Sequence, residues 1–176
     1  MTRLKTYLPH AISAVAALVF LDSLRFKFTN APETQVIFGK LNAWAASFGA
    51  EGLFAQTGLF SQYVIGSAEL VASALLLAGI HPALRRFQAV GALVAFGVMS
   101  GAVNFHLWTP LGIDPNNDGG GLFFMACTVW ATSILLIFIR RKELAAIGQG
   151  LVSTFLPGRA PAGQTGEPPI THHASA

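Results

Sequence analysis

Apolar residues in this chain gather into long runs separated by short polar breaks. Four runs, at about 7–25, 58–80, 84–106 and 121–140, approach the roughly 20 residues that a helix needs to cross a bilayer. The pattern therefore predicts four membrane-spanning helices. The opening MTRLKTYLPHAISAVAALVFLDS also has the basic start and apolar centre of a signal peptide. No small-x-small cleavage site follows it in LDSLRF, so the run is read as a retained span.

The breaks carry helical patterns of their own. In TNAPETQVIFGKLNAWAASFG, Ile37, Leu41, Trp44, Ala45 and Phe48 share one helix face. Asn30 stands at the cap, with Glu33 three residues on in capping-box position, and Gly49 stands at the stop. This spacing predicts an interfacial helix over about 31–48, lying on the membrane or closing over the outer mouth of the spans. A second stripe of Leu144, Ile147, Leu151 and Phe155 predicts a cytoplasmic amphipathic segment over 143–157. Residues 158–176, rich in Pro, Gly, Ser and Thr, read as a disordered tail in which His172 and His173 are not ligands.

Composition agrees with a bilayer: 53% of the 176 residues are hydrophobic and 11% charged, against about 25% charged in a soluble domain. The expected class is thus an all-α integral membrane four-helix bundle, formed as one domain over residues 1–142. Net charge is +3, but the basic residues sit in short clusters beside apolar runs, which argues against nucleic acid as a partner. With the N-terminus inside, Arg3, Lys5, Arg85, Arg86, Arg140, Arg141, Lys142 and Arg159 fall on the cytoplasmic side, eight of the eleven Lys and Arg. Both termini are expected to be cytoplasmic. Cys127 is the single cysteine, which excludes a disulfide or Cys-x-x-Cys chemistry within the chain.

One acid interrupts the second run. Glu69 in GSAELVASALLLAGI shares a helix face with Gln62, Gly66 and Ser73, so it is expected to face protein or water. The third run offers Gly97, Ser100, Gly101 and Asn104, with Gly97 and Gly101 at the small-xxx-small spacing that admits close helix approach. An ionisable group at the bilayer centre costs about 2.5–3.5 kcal/mol on insertion scales. Two roles are consistent with that cost. Glu69 is either a hydrogen-bonded clasp between helices, or the base of an outward pocket for a small ligand or a proton, with Gln62, Ser73, Asn104, His106 and Asp22 as further polar groups.

Other constellations are weaker. His10 and His81 lie at similar depth, as a bis-histidine haem requires, but helix-end histidines explain them with less. DPNNDGGG places Asp114, Asn116, Asp118 and Gly119 as in the start of a calcium loop, yet Met125 occupies the position where a bidentate glutamate is needed. The simpler expectation is a turn, with Asp118 capping the fourth helix. Met125, Cys127 and Trp130 read as packing residues. No Ser-His-Asp order, phosphate-binding glycine loop or Cys/His metal cluster is present.

The stretches LRFKFTNAPETQVIFGKL, GSAELVASALLLAGI and GVMSGAVNFHLWTPLGIDPNNDGGGLFF resemble the DoxX-like family of small bacterial membrane proteins, over roughly residues 8–141. The resemblance implies a four-helix bundle in the bacterial inner membrane, with Glu69 at the family's acidic position in the second span. It also implies a link to membrane oxidoreductases, as a small subunit or accessory with a quinone-like pocket near Glu69. The alternative is a non-catalytic scaffold or assembly factor for another membrane protein; the expected protein partner is a membrane oxidoreductase subunit or a second copy of the chain. The bundle is also similar to that of vitamin K epoxide reductase, whose cysteine pair this chain lacks. A transporter is disfavoured because four spans offer no discontinuous helix.

Overall fold

The structure is a computed structural model that describes residues 2–156. The expected tail at 158–176, with His172 and His173, lies outside the described residues. Six α-helices follow in order, with no strand among the described residues: α1 (Thr2–Phe28), α2 (Pro32–Ala46), α3 (Gln62–Ala78), α4 (Arg85–Trp108), α5 (Gly121–Ile139) and α6 (Arg141–Phe155).

Three stretches, Thr6–Phe28, Pro82–Trp108 and Gly121–Ile139, are long and apolar enough to cross a membrane, and α3 is a shorter apolar helix. Outward side chains such as Leu18, Val71 and Phe138 are more than half exposed. Apolar surface of this kind is solvated by lipid, and the chain is a membrane protein.

The helix ends follow from local chemistry. α3 begins at 62 rather than near 58 because residues 50–61 fold back on themselves, with Phe60 N donating to Leu53 O at 2.9 Å. The Ser61 hydroxyl then caps the helix by accepting from Val64 N. Ahead of α5, Gly120 holds the cap position, and the expected residue, Asp118, serves the helix start from two residues earlier by accepting from Leu122 N at 2.8 Å. The expected Asn30–Glu33 capping box is not formed. Ala31 occupies the cap without a side-chain bond, and Pro32 opens α2, its fixed φ suiting the first helical turn. Asn30 instead takes a left-handed φ of 56°, a conformation asparagine tolerates. Gly49, at φ +85°, follows α2 as the stop signal predicts.

α1 packs on α3, α3 on α4, α4 on α5, and α5 back on α1. Their shared core is built from Ile12, Ala16 and Phe20, then Ala72 and Leu76, then Ala92, Ala95 and Met99, and finally Ala126, Val129 and Leu136. α3 and α4 do approach closely, but not through the glycines that spacing suggested. A Cβ at Gly97 would meet nothing within 4 Å, and one at Gly101 only Phe105. The close approaches are at Gly79, where a Cβ would lie 2.3 Å from Gln88 N, and at Gly91, where it would lie 2.9 Å from Leu76 N. Both sit near the short turn that joins the two helices. The turn forces proximity there, and the helices need no glycine farther along.

A second apolar cluster closes the opposite end. Leu41 and Ala45 of α2 pack with Phe54 and Leu111, flanked by Ile37, Trp44 and Phe105. The expected α2 face is therefore real and is turned onto protein, whereas Phe48 is exposed. α6 starts two residues before the predicted segment, touches α4, and leaves Leu151 and Phe155 exposed.

Candidate functional site: a buried ion pair between α1 and α3

Glu69 occupies the middle of α3 and only 3% of its side chain is exposed. Lys27, next to last in α1, reaches it with Nζ at 3.0 and 2.9 Å from the two carboxylate oxygens. The Ser23 hydroxyl donates to Glu69 Oε2 at 2.8 Å and accepts in turn from Lys27 Nζ. Helical side chains lean toward the N-terminus of their helix. A lysine at the C-terminal end of α1 therefore points back into the protein, and Ser23, one turn earlier, lies under its ammonium. Burial alone would penalise either charge; together they satisfy one another with charge-assisted hydrogen bonds.

Gln62 lies two turns from Glu69 toward the α2 end and is itself buried. Its Nε2 donates to Lys27 O at 2.8 Å and to Asn30 Oδ1 at 2.9 Å. Its Oε1 accepts from Gln35 at 3.0 Å. Asn30 Oδ1 also accepts from Gln35 and Gln56. One asparagine carbonyl thus gathers the end of α1, the start of α2, the 50–61 segment and the start of α3.

The remaining sequence-predicted residues divide. Ser73 is buried but donates to Glu69 O in its own helix at 2.8 Å. His106 is buried, with Nδ1 2.6 Å from Gly112 O and its ring against Phe123. Asn104 is exposed and donates to Ser100 O one turn back. Asp22 is exposed and pairs with Arg25 at 2.9 Å. Gln62 and Glu69 are thus linked through Lys27, while Asp22 and Asn104 take no part in that network.

Comparison of the chain with models of protein families, with curated proteins and with solved structures gives no match to any of them. Function has to be argued from these contacts.

At the turn that suggested a calcium loop, Asp114 accepts from Asp118 N, and Asp118 accepts from Gly120 N and Leu122 N. Both carboxylates are bonded to their own loop, with Asn116 between them. Hydrogen bonding from Leu122 N holds the Asp118 carboxyl below its ordinary pKa. No group of three or more His, Cys, Asp or Glu is placed to hold a metal among the described residues. Of the haem candidates, His81 is exposed and accepts from Ala83 N in the interhelical turn, and His10 has its Nδ1 buried without a partner. Cys127 is a free thiol, half-buried on α5.

The sequence pattern did not pick out a second polar knot. Fully buried Gln88 of α4 donates to Ser13 Oγ at 2.8 Å and to Pro9 O at 3.3 Å, and accepts from Arg140 Nε at 2.6 Å. Arg140 also reaches Glu143 at 3.5 Å. The sequence pattern places Arg140 among the cytoplasmic charges, and in the fold its side chain is buried.

Proposed function

We propose that the chain is a four-span integral membrane bundle of the DoxX-like kind, with its termini cytoplasmic in a bacterial inner membrane, and that it serves a larger membrane complex as a non-catalytic accessory or scaffold subunit. One observation supports this above the others. Both carboxylate oxygens of Glu69 are engaged by Lys27 and one also by Ser23, so the acid is occupied in joining α1 to α3. A quinone-like ligand or a proton relay at Glu69 would have to displace a lysine. In this reading α3 is the fourth, shorter span, α2 caps the outer end, and α6 lies along the cytoplasmic interface with Arg141 and Lys142 at its start.

Exchanging the two charges tests this, as Lys27→Glu with Glu69→Lys. A clasp works in either polarity, so the doubly exchanged protein should accumulate in membranes and enter its native complex, sized by native electrophoresis, as the wild type does. An acid that binds ligand or moves protons cannot be replaced by lysine. A folded, assembled double variant whose membranes have lost a quinone-dependent oxidoreductase activity would sink the scaffold reading and favour the oxidoreductase-accessory one.

A further inference from the structure

The end of the bundle that carries α6 presents positive charge and apolar surface side by side. Arg85 and Arg86 open α4, Arg141 and Lys142 open α6, and all four are exposed. The Arg140 bond to Gln88 ties these two helix starts together, and Arg85 lies near enough to Arg140 for the two cations to repel. Glu143, the only acid in α6, is paired with Arg140. No ion pair among the described residues involves Arg85, Arg86, Arg141 or Lys142.

From Gly148 to Leu156 every residue is exposed, so this half of α6 stands clear of the bundle. Its apolar side is bare: Leu151, Val152 and Phe155 are each more than half exposed. Leu151 and Phe155 continue the helical stripe that Leu144 and Ile147 begin. A contiguous exposed apolar face marks a surface that is covered in use, and chain connectivity says by what. Only Arg140 separates α6 from α5, a helix long and apolar enough to span a membrane. Leu135 and Phe138, near the end of α5, are themselves exposed. α6 therefore starts at the edge of the hydrocarbon region, where its stripe meets acyl chains and the neighbouring cations meet phosphates.

We propose that the starts of α4 and α6 together bind anionic phospholipid, with Arg85, Arg86, Arg141 and Lys142 at the head-group phosphates and Leu151, Val152 and Phe155 in the acyl region. A cation at an anionic lipid surface strengthens attachment about fivefold, and an amphipathic helix adds the apolar area it buries. Zwitterionic lipid offers these cations no net counter-charge, so the surface selects lipids that carry net negative charge. The inference rests on the placement of α6 at a membrane face, and is independent of whether the chain is a scaffold or an oxidoreductase subunit.

The test reconstitutes the full chain into bilayers of equimolar phosphatidylcholine and phosphatidylglycerol, re-extracts it in an uncharged detergent, and quantifies the retained lipids by mass spectrometry. Phosphatidylglycerol should be retained over phosphatidylcholine by about fivefold or more. Arg85→Gln, Arg86→Gln, Arg141→Gln and Lys142→Gln together should bring the ratio to unity. Because removing four charges can disturb insertion, the Arg141→Gln/Lys142→Gln pair should lower it in part. Extraction of the unaltered protein at about 1 M salt, where charges act over only about 3 Å, should lower it too. A polarity-sensitive fluorophore at Phe155→Cys, in a Cys127→Ser background, should report apolar surroundings in the same bilayers. An apolar label with equal lipid retention would overturn the anionic selectivity while leaving α6 at the membrane; a label in water would overturn the placement of α6 as well. Selectivity that survives the fourfold substitution would also overturn the proposal. So would displacement of the lipid by millimolar glycerol phosphate, which would assign the site to a soluble phosphate ester.

Discussion

Replacing Lys27 with methionine keeps the length of the side chain and removes the cation that both Glu69 oxygens contact. Glu69, with 3% of its side chain exposed, is then left with the Ser23 hydroxyl. Removing one member of a buried pair costs about 3–5 kcal/mol, because the surviving charge stays desolvated. Lys27 itself retains 16% exposure and Ser23 keeps its bond, which places the loss at the lower end, about 3 kcal/mol. Glu69→Leu alone strands the ammonium and should cost a similar amount. The two changes together bury no charge, and an apolar pair of like volume is close to neutral in such sites. The double variant should therefore lie within about 1 kcal/mol of wild type, giving a coupling energy of several kcal/mol, beyond the range for residues that merely touch. Reversible unfolding of the detergent-solubilised protein by a denaturing surfactant, followed through Trp44, Trp108 and Trp130, closes the cycle. Additive losses in the double variant would refute the clasp, since they would mean that neither charge depends on the other.

Two further outcomes follow from the same geometry. Gly79→Ala should destabilise severely, by more than about 2 kcal/mol, because its Cβ would collide with the Gln88 backbone, while Gly97→Ala, facing open space, should be neutral or slightly stabilising; thermal unfolding of both compares them directly. Asp118→Ala should remove about 1 kcal/mol, because Leu122 N at the start of α5 loses its acceptor. Since the folded carboxyl has a lowered pKa, its contribution is present above the ordinary value of 3.8 and is lost as pH falls below it, so wild type and variant should converge in stability in acid.

Periodicity carried the sequence reading well where one helix decides the outcome. The i, i+4, i+7 rule put Gln62, Gly66, Glu69 and Ser73 on one side of α3, and all four are buried. It did less well where two helices have to be set against each other. Lys27 is not singled out by the sequence pattern, although Ala16, Phe20 and Ser23 recur at intervals that bring it onto the inner face of α1. Reading the helix one turn farther would have found it. Gly97 and Gly101 failed because a spacing motif says nothing about which neighbour comes near, and the Gly79–Gln88 contact depends on the turn between α3 and α4. Asn30 was misread because its backbone adopts a left-handed turn, which frees the side chain to serve three glutamines instead of a helix end.

The pairing of residues 42 positions apart also bears on how the chain is made. Synthesis at about 5–20 residues per second delivers Glu69 roughly 2–8 s after Lys27. During that interval α1 carries an ammonium with no counter-charge, and hydration at the lipid head groups is the low-energy place for it. α1 is therefore expected to hold its C-terminal turn toward water until α3 arrives, so that the second hydrophobic helix seats the first.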